Sequence, residues 1–496
     1  MNIKGIYKKL KMQTGSLLIT ALVFTFIFII LAGGLLGLFV QEKKVQLQRK
    51  AKALALEIAE AGINYYKWHL DNFNDDYADG NGPALCNINP PYTCGPYVHN
   101  YDDPIGGTIG QFELYITPPE TNSTIVKIKS TGWTLANPNI KRITGVRYGR
   151  PSWAKYSIIS NSNIRIGALT TVRGPMHSNG GIRFDGIAYN EITSAQNTYN
   201  DTDGDACTLL SWGVHTCSAP PDPSPPTAPP NRNDIFTIGR RFPVPVINFD
   251  GVTADLGKLQ SAAQTDGLYI GKSNRQGWHI QFQGSNLQYR KVKTTNICTW
   301  AGGTQSAPIG DIAEYQGNWV SSNFPNNGII FIEDNVWLDG TLNSGAYITL
   351  VAAKEPLATE NADVWINNDI AYAVKDGTIA FGIIAQNNIS VGLYSEDDLI
   401  IDAVLLAQKG RAGRFYYPSS CSATYYKRTN IQDYGSIASN QRYGFSWVCG
   451  GVWCSGYQTR NIIFDSNMTY SPPPLFPNTG EYTQVSWEEF MPGEVF

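Results

Sequence analysis

Residues 17–40 read LLITALVFTFIFIILAGGLLGLFV, an almost unbroken apolar run with no charged side chain. At 1.5 Å per residue a helix of this length spans roughly 36 Å, enough to cross a hydrocarbon core of about 30 Å. Lys4, Lys8, Lys9 and Lys11 stand before it. Positive charge on a short flank favours keeping that flank in the cytoplasm, which places everything after Val40 outside. A cleaved secretory signal fits poorly, because the run is too long and no small-x-small site follows it. The helical pattern instead continues. Leu47, Ala51, Leu54, Ile58, Ala61, Tyr65 and Trp68 recur four and three apart, one apolar stripe on a polar helix. The spacing predicts a single helix from about Ser16 to His69, on the order of 80 Å long, greasy all round in its first half and amphipathic in its second.

Composition bounds the rest. The chain of 496 residues carries 38 basic and 41 acidic side chains, a net charge of -3. No overall basic field exists to hold nucleic acid. Charged residues are 16%, while Gly numbers 48 and Pro 28, a profile short of helix formers and rich in turn formers. The 12 Trp, 27 Tyr and 20 Phe supply apolar bulk that a disordered chain lacks. A long, mainly β exterior with polar but uncharged surfaces is expected, rather than an α/β metabolic enzyme.

Lys11-Met-Gln-Thr-Gly15 followed by Ser16-Leu-Leu-Ile-Thr20 resembles a type IV prepilin leader. Ala59-Glu60-Ala61-Gly62 near the end of the helix resembles the pattern of PilX-type minor pilins. The resemblance covers roughly residues 1–70. It implies cleavage after Gly15, a mature N-terminus at Ser16, and packing of the greasy half-helix in a filament core. It also implies other pilin subunits, the pilus assembly machinery and the lipid bilayer as partners. One departure is Thr20, which stands where major pilins carry Glu; that argues against a major subunit. A plain single-pass anchor is the alternative.

Beyond a leader over 1–15 and the helix over 16–70, residues 71–150 read as a pilin-like antiparallel meander. Turn signals fill Asp71–Pro104, and strands are expected at Gln111–Thr117, Thr124–Ser130 and Ile140–Tyr148. Residues 151–195 and 326–471 carry short strands every 10–20 residues with Asn, Gly and Asp corners, as in Gly328-Ile-Ile-Phe-Ile and Asn335-Val-Trp-Leu-Asp-Gly340. This texture suggests a parallel β-solenoid-like domain, with a β-sandwich as the alternative. Residues 196–232 form an Asp- and Pro-rich linker. Residues 233–325 read as an insertion with a helical patch near Val252–Gln264. Residues 472–496 read as a C-terminal arm.

The eight cysteines fit disulfides in an oxidising compartment. Cys86/Cys94, Cys207/Cys217 and Cys449/Cys454 are near pairs; Cys298 and Cys421 pair only if the fold brings them together. Zinc is disfavoured, since His is scarce and no Cys-x2-Cys occurs. Asp201, Asp203 and Asp205 lie in an Asp-rich turn and are a weak calcium candidate, without the twelfth-position Glu of an EF-hand; no other cofactor is expected. Gly267-Leu-Tyr-Ile-Gly-Lys-Ser273 is one residue short of a phosphate loop. No nucleophile motif occurs, and His177 reads as a corner residue. An anchored carbohydrate-active solenoid remains the enzyme alternative, with Asp334, Asp339, Glu396, Asp397, Asp398 and Asp402 as candidate carboxylates. Trp300, Trp319, Trp337, Trp365, Trp447 and Trp453 are candidates for stacking on surface glycans. The favoured expectation is a non-enzymatic, membrane-anchored minor pilin-like subunit acting in assembly or adhesion.

Overall fold

The computed structural model describes residues 14–82, 86–87, 92–203, 207, 209–250, 254–491 and 493–494. Its chain divides into two units. The first holds 1–118, 126–148 and 484–496, the second 119–125 and 149–483. The second is thus spliced into the chain of the first.

In the first unit one helix, α1, runs unbroken from Thr14 to Asn72 over 59 residues. Its second half docks on a six-stranded sheet in the order Cys86–Asn87, Thr93–Asp103, Gly107–Thr117, Ile125–Thr134, Asn137–Gly149 and Thr483–Phe490. The first four run as an antiparallel meander. Phe112, Leu114, Ile116, Val126 and Ile128 alternate inward and are buried, as period-two patterning requires. Two segments differ from the sequence expectation. The turn-rich stretch contains the long strand Thr93–Asp103, because a register shift between Cys94 and Tyr97 absorbs Gly95 and Pro96, leaving the ladder intact on either side. The expected C-terminal arm supplies the last strand of the sheet, where Arg147 pairs with Glu488 at 2.6 Å and Arg142 pairs with Glu489.

The second unit is a parallel coil. Three short strands turn three corners per rung: Ile158–Ser160, Ile164–Ile166 and Thr170–Arg173. The next rung stacks on them in register, Ile158 on Met176, Ile164 on Ile182 and Thr171 on Ile187. One column of inward side chains passes through Ile330, Leu350, Ile383, Leu405, Ile437, Ile158, Met176 and Ile192, all in the main apolar core. A corner column runs Ile332, Ala352, Ala385, Ala407, Ser439, Ser160, Ser178 and Ser194. Its serine hydroxyls bond to nearby corner carbonyls, for example Ser178 to Ser162 at 2.7 Å and Ser194 to Gly180 at 2.8 Å. These in-register parallel ladders are the solenoid arrangement and not a sandwich, whose sheets would be antiparallel.

Both columns pass from residues near 439 directly to residues near 158. The chain therefore enters its own coil in the middle. It winds outward to Arg240–Arg241, returns to the opposite end at Leu268–Ile270, and winds back to meet its first rung. The expected insertion over 233–325 is consequently not one body. Phe236 and Arg240–Arg241 finish the outward rungs. Residues 242–250 and 254–267 then lie along the way back past ten stacked strands, about 43 Å at roughly 4.8 Å per step. That return strap carries helix α2, Leu256–Asp266, N-capped by the Asp255 side chain on the Lys258 amide at 2.9 Å. Phe249, Leu256, Leu259 and Ala263 of the strap cover the outward column Phe331, Val351, Ile384, Leu406, Ala438 and Ile159. This face of the sheet is buried on both sides, which is why its strands read as continuous apolar runs. The Asp- and Pro-rich linker holds a small antiparallel hairpin, Thr198–Asn200 with Leu210–Trp212, and a strand Val214–His215 that joins the coil on Ile182–Arg183.

Candidate functional site: an apolar rod and its docking platform

The large apolar side chains of α1 from Leu17 to Val40 are exposed throughout. By length and composition this helix can cross a bilayer, and it fits a single-pass anchor. The Thr25 hydroxyl donates to the Ala21 carbonyl at 2.7 Å, so this polar group is satisfied inside the helix as a lipid environment demands. Gly33, Gly34 and Gly37 present a flank where an added Cβ would meet nothing. The Gly15–Ser16 peptide lies in the first turn of the helix; residues 1–13, with the leader lysines, lie outside the described residues.

The docked half is held by an unusually close approach. A Cβ on Gly132 would lie 2.4 Å from both the Ala55 carbonyl oxygen and the Ala59 amide. One on Gly110 would lie 2.4 Å from Ile58, and one on Gly62 2.4 Å from the Ser130 hydroxyl and 2.8 Å from Phe112. Helix and sheet therefore meet through Ala55, Ala59 and Gly62 against Gly110, Ser130 and Gly132. This rotates the buried line relative to the sequence stripe. Ala51, Ala55, Ile58, Ala59, Ile63, Tyr66 and Leu70 are buried, whereas Leu47 and Trp68 are exposed. Small residues win the interface because they let backbones approach, a gain that side-chain hydrophobicity does not register.

Polar contacts lock the end of the helix. His69 meets Asp76 at 3.1 Å, His99 meets Asp79 at 2.7 Å, and the Tyr65 hydroxyl donates to Asp79 at 3.1 Å. Burial pushes the Asp76 carboxyl up, but the amides of Ala78 and Gly80 together with His69 outweigh it and hold it below the usual range. Burial, with Asp79 alongside, raises Tyr65 to about 12. This acidic turn thus serves as a clamp between helix and sheet.

The other predicted residues are placed as follows. Disulfides join Cys86–Cys94, Cys207–Cys217, Cys298–Cys421 and Cys449–Cys454. The Asp201 carboxylate meets His215 at 3.2 Å and Arg183 at 3.7 Å, and Asp203 is gripped by both Arg442 nitrogens at 2.7 and 2.8 Å. Asp205 lies outside the described residues. The two described candidates for calcium thus face cations already. His215 also lies near the sulfurs of Cys207 and Cys217, but these are oxidised together. His177 is buried and bonds to Thr193 and Asn179. Among the candidate carboxylates, Asp334 accepts from the Ser273 amide and hydroxyl, Asp339 from His279 and Gln281, and Asp397 from Thr429. Asp402 pairs with Lys375 at 2.7 Å. Glu396 is raised by burial and then by neighbouring Asp369. Trp337 and Trp365 are core residues. Sequence reasoning missed an arginine cluster, Arg165, Arg183, Arg411, Arg442 and Arg460, which lines a cavity in the coil; no local pattern signals it, because these residues are far apart in the chain.

No family model and no curated protein matches the chain. Among solved structures, it is similar to the competence-associated pilin ComZ from Thermus thermophilus, at 13% identity and a TM-score of 0.29, covering 89% of this chain and 97% of that one. A TM-score this low supports no functional argument.

Proposed function

We propose that this protein is a membrane-anchored, pilin-like minor subunit that displays a disulfide-stabilised β-coil outside the membrane, acting in assembly or attachment rather than catalysis. One observation carries the reading. A single unbroken helix is exposed and apolar over Leu17–Val40 and is docked on an antiparallel sheet over Ala51–Leu70. Such a rod suits storage in lipid, and the same apolar surface suits burial against other rods of its kind. The leader ending at Gly15, with Ser16 as the new terminus, supplies the processing step. The four leader lysines favour a cytoplasmic leader. Partners are then other pilin subunits, the assembly machinery and the bilayer. The test is recovery of the protein from sheared surface filaments of a cell that makes type IV pili. The reading expects it in the sheared fraction, lost when the assembly ATPase is inactivated. Retention wholly in the membrane fraction, whether or not the ATPase is active, contradicts it.

A further inference from the structure

Where the last rung of the coil meets the first, two of its three sides close by strand pairing: Ile437–Ser439 on Ile158–Ser160, and Arg460–Ile463 on Thr170–Arg173. The third side stays open. Strand Ile164–Ile166 pairs with Ile182–Phe184 on one edge only among the described residues, and Gly444 bridges back to Gly413 instead. A cavity of about 550 Å³ occupies this gap, inside the roughly 300–1,000 Å³ range of small-ligand sites.

Its lining is strongly cationic in a chain of net charge -3. Arg165, Arg183, Arg411, Arg442 and Arg460 face only two lining carboxylates, Asp185 and Asp203. Arg183 is matched to Asp185 at 2.8 Å and Arg442 to Asp203. Arg411 and Arg460 have no carboxylate partner among the described residues. Arg460 is spent on neutral acceptors, Thr170 at 2.8 Å and the carbonyls of Tyr457 and Gln458 at 2.7 Å. Arg411 gives one bond to the Arg414 carbonyl and lies 5.3 Å from the Trp447 ring centre. Burial lowers the basicity of both, and Arg442 adds to this at Arg411. Arg460 is buried and Arg411 half-buried, and such cations without counter-charge favour an anionic occupant.

Part of the lining is aromatic. The hairpin Ser446–Cys449/Val452–Phe464 brings Trp447 and Trp453 to the cavity, and Cys449–Cys454 closes its tip. The Trp447 indole donates to the Arg414 carbonyl at 3.0 Å, which fixes its plane. Flat rings beside guanidinium forks match the two surfaces of an acidic pyranose, its C–H face and its carboxylate.

We infer that this seam cavity binds a carboxylate-bearing sugar, with Arg411 as the principal fork for the carboxylate and Trp447 and Trp453 as the stacking wall. The inference rests on the coil alone and stands whether or not the helix enters a filament. Calorimetric titration of the full chain in detergent micelles, at low ionic strength, tests it with three probes: digalacturonate, neutral cellobiose and inorganic phosphate. The expected result is binding of digalacturonate at least about ten-fold tighter than either other probe. Arg411→Gln should weaken digalacturonate at least about ten-fold, and Arg411→Lys, which keeps the charge but loses the fork, by less. Arg275→Gln, a surface change elsewhere on the coil, should leave it unchanged. Native-state hydrogen exchange of each variant separates lost binding from lost fold. The inference is overturned if cellobiose binds as tightly, if phosphate does, if millimolar digalacturonate gives no signal, or if folded Arg411→Gln binds like the parent.

Discussion

Gly132→Val tests the docking of the rod most sharply. The new Cβ would stand 2.4 Å from the Ala55 carbonyl oxygen, 2.4 Å from the Ala59 amide and 2.9 Å from the Ala59 Cα. These are helix backbone atoms and cannot rotate away. Relief requires the helix to lift by about 1 Å, and a gap of that size forfeits roughly a quarter to a half of each dispersion contact it opens. The contacts at stake belong to Ala51, Ala55, Ile58, Ala59, Ile63, Tyr66 and Leu70. Overpacking costs roughly 1–3 kcal/mol, and the upper end applies where backbone is the obstacle. About 3 kcal/mol corresponds to exchange faster by about two orders of magnitude for amides that open with the docked helix. Hydrogen exchange with mass spectrometry on the full chain in micelles reads this over residues 55–70 and 112–116. Gly271→Val, where a Cβ approaches only Tyr269 at 4.0 Å, is the control. Unchanged exchange over 55–70 in Gly132→Val would refute the close-approach argument.

Three further outcomes are expected. Cys298 and Cys421 close a loop of separation 123 and Cys449 and Cys454 one of separation 5, so chain-entropy arguments assign about 5 and about 2 kcal/mol respectively; replacing the first pair by serine should lower the thermal midpoint of the coil more than replacing the second, and equal shifts would contradict this. Burial first, then Asp402, raises the Asp433 carboxyl well above its ordinary value, and neither of its oxygens has a hydrogen-bond partner among the described residues. A raised folded-state value means that its contribution to stability is full below about pH 4 and declines as pH rises toward that value, by up to about 1.4 kcal/mol per pH unit. Asp433→Asn should therefore flatten the decline in unfolding free energy between pH 5 and 8, whereas parallel pH profiles would count against it. Leu259→Ala, on the strap over the outward column, should cost about 2–5 kcal/mol and speed exchange across α2; a loss under about 0.5 kcal/mol would mean that the strap does not cover that face.

The rod was legible because transfer into lipid depends on local composition, and residues 17–40 contain no charge to obscure it. Short apolar strings with Asn and Gly corners made the coil legible, since a strand buried on both faces shows as a run such as Gly328-Ile-Ile-Phe-Ile. Four features were not legible. The rung order depends on Ser439 meeting Ser160, a register between distant segments that neither segment announces. The buried line of α1 turns on Gly62, Ala55 and Ala59, whose value lies in what they lack. The arginine cavity exists only because a coil entered in its middle leaves one side unclosed, which gathers Arg165 and Arg460 at one place. The strand at 483–490 read as part of an arm because the tail opens with Pro472-Pro473-Pro474, whereas its pairing in the sheet includes Glu488 and Glu489 with Arg147 and Arg142.

Mass spectrometry of the N-terminal peptide, from cells holding an active prepilin peptidase and from cells holding an inactive one, decides between a processed rod and a plain anchor. The account predicts a chain beginning at Ser16 in the first and at Met1 in the second. A leader that persists intact beside the active peptidase, or a cut beyond Val40 that releases the exterior, would contradict it.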